Sequence, residues 1–176
     1  MTKLTVKFGY YAMKYADALN KCIPSLTDSE REKIRDIVNE TALIRRVGES
    51  MYYRVEKKLI EEGQHDEAYK LAASRSARPS VTRVTDPTGI VRLLDQVIEF
   101  GIHFSSHAQL YADALQELAY EPTVGDEERA TDLRSCRELR RLIIAARKVA
   151  RVSKETRTVR VRELYGEDVV ELDDLD

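Results

Sequence analysis

An all-α fold is predicted by three features of the sequence. Apolar residues recur at alternating spacings of three and four over long stretches, helix start and stop signals bracket those stretches, and glycine and proline are scarce, at 7 and 4 of 176 residues. A chain of this length suits one domain with a sizeable core. With 43% hydrophobic and 34% charged residues and no tryptophan, the composition leans away from β-sandwiches and disorder and towards long charged helices.

The first helix is marked by Leu4, Phe8, Tyr11, Tyr15, Leu19 and Cys22, although Leu4, Val6 and Phe8 alternate and also fit a short strand. The next begins at Thr27, where T-D-S-E forms a capping box with Glu30 three residues on. Its stripe is Ile34, Ile37, Thr41, Ile44, Gly48, Met51, Val55 and Leu59, and Gly63 is its stop signal, which together predict one uninterrupted helix. A short helix from about His65 to Ala73 follows. Residues 74–87, SRSARPSVTRVTDP, read as an extended or mobile connector.

T-D-P at Thr85, Asp86 and Pro87 opens the next helix, with proline where its missing N–H costs nothing. Its seam is Ile90, Leu94, Val97, Gly101, Phe104, Ala108, Tyr111, Leu115 and Leu118. Cys136, Leu139, Ile143, Ala146 and Ala150 mark the last long helix. Seams stepping by three and four belong to helices packed at shallow angles, so the expected architecture is a bundle of about four long amphipathic helices over residues 1–152. Residues 153–176 are expected to form a basic strand, TRTVRVREL, paired with VVEL as a hairpin through YGED, ending in an acidic tail. Gly48 and Gly101 fall in mid-seam, where glycine costs about 1 kcal/mol against alanine, which points to close helix crossings.

Charge is unevenly distributed. Residues 134–162 hold eleven Arg or Lys against two acids, while residues 163–176 hold seven acids and no base, within a net charge of −2. On a helical wheel, Leu139, Leu142, Ile143, Ala146, Val149 and Ala150 fall on one side of the last helix. Arg134, Arg137, Arg140, Arg141, Arg147, Lys148 and Arg151 occupy the other, and Arg157, Arg160 and Arg162 continue the basic surface along the expected strand. Guanidinium forks match phosphate geometry, and neutralised phosphates release counterions, so these ten residues are the expected contact for a nucleic-acid backbone. The expected function is non-enzymatic binding of nucleic acid with little sequence preference, as a homo-oligomer or a subunit of a nucleoprotein assembly, with the acidic tail competing for the basic face.

Other readings compete with it. The same face could pair with acidic faces of neighbouring helices or subunits or with the acidic tail itself, and, separately, the basic and acidic ends could join copies head to tail as a structural or adaptor protein. A second basic surface could form from Arg75, Arg78 and Arg83 and from Arg45, Arg46, Tyr52, Tyr53 and Arg54. Asp95, Glu99, His103 and His107 step by four and could offer Glu/His/His to a metal, but they lie opposite the apolar seam, and no Glu-x-x-His appears on another helix. Ser105 and Ser106 beside His107 lack an orienting acid, and the phosphate-loop, dinucleotide-binding and nucleophile-elbow signatures are absent, so neither enzyme activity nor a cofactor is expected. Cys22 and Cys136 fit neither a disulfide framework nor a zinc site and read as thiols of a reducing compartment. The lysine-interrupted N-terminus has no signal-peptide core, and no apolar run is long enough to cross a bilayer, so the expected location is cytoplasmic, with no membrane role.

Overall fold

The computed structural model describes residues 2–75 and 82–166, in which regular structure is entirely helical. The helices are α1 (Thr2–Cys22), α2 (Asp28–Lys33), α3 (Arg35–Glu61), α4 (His65–Ala73), α5 (Pro87–Ala119) and α6 (Asp126–Tyr165), with a 3-10 turn at Ile23–Ser25. α1 packs between α3 and α5, α5 also packs on α6, and α6 lightly touches α3. Each of these neighbours is antiparallel, as Asp17 with Arg45 and Asp95 with Arg157 register. It follows that α3 and α5 run in the same direction. The link between them therefore has to return along the molecule: Arg75 pairs with Glu56 near one end, and the Val84 N–H donates to Ser25 Oγ (2.9 Å) near the other.

Local signals set most boundaries. Thr27 caps α2, with the Glu30 N–H donating to Thr27 Oγ1 (3.2 Å) and the Thr27 N–H donating to Glu30 Oε2 (2.7 Å). Asp86 caps α5 by accepting from the Gly89 N–H at 2.7 Å, with Pro87 in the first turn. Gly63, at φ +76°, turns the chain after α3.

Two expectations are corrected, and the alternative left open in the first helix is resolved in favour of the helix. The alternation at Leu4, Val6 and Phe8 lies inside α1, whose inward face includes Thr5, Phe8, Ala12, Tyr15 and Leu19. The helix expected from Thr27 to Gly63 is broken at Ile34, whose N–H bonds the Arg31 carbonyl three residues back (3.2 Å); Ile34 and Ile37 both stay buried, so the stripe carries no trace of the break. The expected strand at residues 156–164 is the last part of α6, which runs unbroken through the expected boundary at 152/153. There the inward seam Leu139, Ile143, Ala146, Ala150, Ser153, Arg157, Arg160, Leu164 keeps its alternating steps of four and three, and polar residues take over where the apolar core ends. The expected second strand and the acidic tail, residues 167–176, lie outside the described residues, as do residues 76–81 of the connector.

An aromatic column joins α1 to α5: Phe8 stacks on Tyr111 (5.0 Å between centroids) and Tyr15 on Phe104 (5.4 Å). α1 and α3 cross at glycines. A methyl group built on Gly48 would stand 2.8 Å from the Gly9 carbonyl oxygen and 2.7 Å from Met13 Cγ, so backbone lies against backbone. Gly101 instead faces the Tyr15 ring, 3.1 Å from the position of an added methyl. Beside the glycine crossing, the buried Arg45 guanidinium donates to Asp17 and, at 2.9 Å, to Glu49.

Gly48→Ala, which helix propensity alone would favour by about 1 kcal/mol, is expected to destabilise the fold by about 2 kcal/mol through overpacking against Gly9. Chemical denaturation checks this, and equal or greater stability would refute the crossing. Tyr15 is fully buried with no hydrogen-bond partner for its hydroxyl among the described residues, and burial pushes that phenol far above its usual range. Tyr15→Phe removes an unsatisfied polar group, so the same measurement should show a gain of about 1 kcal/mol. Burial pushes the Glu30 carboxyl up, but hydrogen bonds from Thr27 and the Arg160 guanidinium outweigh it and hold it below the usual glutamate value of 4.5. Its ionised form therefore adds stability above that value, and the contribution is lost as pH falls through the lower folded value. Glu30→Gln should lower the Tm near neutral pH and flatten the loss of stability between about pH 5 and pH 3.

Candidate nucleic-acid interface

α6 is 40 residues long, which at 1.5 Å per residue makes a rod of about 60 Å. Asp126, Glu127 and Glu128 in its first turn complement the positive end of the helix dipole. Arg129 anchors the preceding turn by donating to the Ala119 (2.9 Å) and Val124 (3.2 Å) carbonyls. Its inner face buries Cys136, Leu139, Leu142, Ile143, Ala146, Val149 and Ser153.

The ten expected contact residues divide into two sets of five. On the flank towards α3, Arg141 pairs with Glu40 (2.7 Å) and Lys148 with Asp36 (3.1 Å). On the flank towards α5, Arg140 reaches Gln116 and Asp113, and Arg157 pairs with Asp95. Arg160, expected on an outer strand, is half-buried on the inner side of α6 and holds both carboxylate oxygens of Glu30 at 2.9 and 3.2 Å. These five fasten α6 to α2, α3 and α5. Lying mostly at the surface, each such pair contributes about 0–1 kcal/mol.

Arg134, Arg137, Arg147, Arg151 and Arg162 are exposed and have no ion pair among the described residues; the only bond to a side chain of this set is Arg137 Nε donating to the Leu133 carbonyl (3.4 Å). Lys154, also exposed and without an ion pair there, joins them. It escapes a wheel that stops at residue 152 and becomes legible once the helix continues. From Arg134 to Arg162 the set spans about 42 Å of helix axis. Glu155 and the exposed apolar residues Ile144 and Val159 interrupt it.

The second basic surface is reduced in the structure. Arg45 and Tyr52 are buried, and Arg75 is paired with Glu56, which leaves Arg46, Tyr53, Arg54 and Arg83 exposed; Arg78 lies outside the described residues. His103 and His107 do not face solvent as expected. Both are half-buried and lie against the ring of Tyr11, at centroid distances of 4.8 and 4.6 Å, and His107 Nδ1 donates to the His103 carbonyl at 2.9 Å. Among the described residues no three His, Cys, Asp or Glu side chains converge as metal ligands would. The hydroxyls of Ser105 and Ser106 donate back to the carbonyls of Gly101 (2.8 Å) and Ile102 (3.1 Å).

Both thiols are buried. Cys136 Sγ donates to the Ala112 carbonyl (3.2 Å) across the α5–α6 interface, and burial holds its pKa up. Burial, with the Glu30 carboxylate adding to it, pushes the Cys22 thiol up to about 12. No described helix is long and apolar enough to cross a membrane. No protein-family model, curated protein or solved structure matches the chain.

Proposed function

We propose that the protein binds a nucleic-acid backbone, without catalysing a reaction, through the exposed cations of α6: Arg134, Arg137, Arg147, Arg151, Lys154 and Arg162. The reading rests on one observation. Five neighbouring cations on the same helix are tied to carboxylates of α2, α3 and α5, whereas these six project outward with no acid within ion-pair distance among the described residues. Five of the six are arginines, whose planar fork suits phosphate oxygens. Contacts from a straight helix face to phosphates position a nucleic acid without reading its bases, so affinity is set by ionic strength far more than by sequence.

A salt titration with fluorescent duplex and single-stranded oligonucleotides tests this. Six phosphate contacts would give a slope of log affinity against log salt no steeper than about −5. Changing Arg137, Arg147 and Arg151 together to glutamate should weaken binding at least tenfold and flatten the slope by about 3. None of the three is in an ion pair among the described residues, and the one bond from Arg137 stays within α6, so the variant should keep the wild-type Tm. Absence of wild-type binding at low salt would overturn the proposal.

A further inference from the structure

The edge between α3 and α6 is crossed by ion pairs at one end and, among the described residues, by none at the other. Glu40–Arg141 and Asp36–Lys148 bridge it over part of its length. Beyond them, towards Arg54 and Thr131, a cavity of about 410 Å³ lies between the two helices. Small-molecule sites run from about 300 to 1,000 Å³ and combine an apolar lining with a few placed polar groups. The floor here is Phe8, Met51, Tyr111, Leu139 and Leu142. None of these is more than 8% exposed, so the apolar surface that the cavity offers comes mainly from the half-buried Leu43, Val47 and Leu115 above them. A partner helix, about 10 Å across, would sit on the rim without reaching the floor.

The rim carries charges of both signs on opposite walls. Arg46 and Arg54 stand on the α3 side and Asp132 and Glu138 on the α6 side, with no ion pair for any of the four among the described residues. The Arg54 guanidinium lies beside Tyr111 at the edge of the floor, where its charge opposes the upward push of burial on the phenol. A head group with one charge would be attracted by one wall and repelled by the other. A head group carrying both charges is attracted by both.

We propose that this cleft binds a slim amphiphile with a zwitterionic head, its apolar chain laid on Leu43, Val47, Met51 and Leu115, its anionic end at Arg46 and Arg54 and its cationic end at Asp132 and Glu138. The chain covers apolar surface that water otherwise fills, and the walls select the head.

Titration calorimetry with three dodecyl compounds below their micelle concentrations decides the matter: the zwitterionic N-dodecyl-N,N-dimethylglycine, dodecanoate and dodecylammonium. The zwitterion should bind one-to-one and about tenfold more tightly than either single ion. In Asp132→Asn/Glu138→Gln the order should invert in favour of dodecanoate, and in Arg46→Gln/Arg54→Gln in favour of dodecylammonium. All four side chains lie at the rim, so both variants should fold, which circular dichroism confirms. Ser135→Trp, placed to plug the cleft from its α6 wall, should abolish binding of all three. Equal affinity for the three heads, an order that neither double variant alters, or no one-to-one binding of the zwitterion would each overturn the proposal.

Discussion

The contact between Gly9 and Gly48 sets the spacing of the whole molecule. With no side chain on either residue, α1 and α3 approach backbone to backbone, and a single added methyl would stand 2.8 Å from a carbonyl oxygen. Next to it the buried Arg45–Asp17 pair fixes register, since a guanidinium taken out of water is tolerable only where its carboxylate stands opposite. α1 is thereby held on one side by α3 and on the other, through Phe8, Tyr15, Phe104 and Tyr111, by α5. α6 is packed on α5. The remaining edge, α3 to α6, is crossed among the described residues by the ion pairs Glu40–Arg141 and Asp36–Lys148.

The arginine content of α6 serves two purposes that differ by their angle around the helix. Residues on the flanks find carboxylates on α3 and α5, and past the apolar core Arg157 and Arg160 turn to the inner face and find Asp95 and Glu30. Residues in the outer sector find none among the described residues. The sorting follows from a helix that outruns its core: it keeps the periodicity of buried positions while the chemistry at those positions changes from leucine and isoleucine to arginine.

Much of the fold was legible in the sequence because its signals are local. Thr27 with Glu30, Asp86 with Pro87, and Gly63 each act within one turn, and the seams of α3 and α5 were readable position by position. The break at Ile34 was hidden because one residue's change in dihedral leaves the buried stripe intact. Residues 156–164 misled for a different reason: Val159 and Val161 between arginines imitate a two-residue period, and only Asp95 and Glu30, distant in sequence, show that Arg157 and Arg160 share the helical inner face. The division of the basic face was hidden likewise, since what sets Arg141 and Lys148 apart from Arg147 and Arg151 is Glu40 and Asp36 across the gap, and both are distant in sequence. The cleft rim belongs to the same class, because it depends on which residues of two helices stand opposite each other.

The two thiols turn the molecule into its own reporter. Cys22 closes the end of α1, and Cys136 is hydrogen-bonded across the α5–α6 interface; each is buried and held in the unreactive protonated form. An alkylating reagent can reach either sulfur only when the surrounding helices come apart, so the two modification rates separately measure how often the α1 end and the α5–α6 interface open. A protein without tryptophan thus carries, at two distinct joints, a chemical clock for its own breathing.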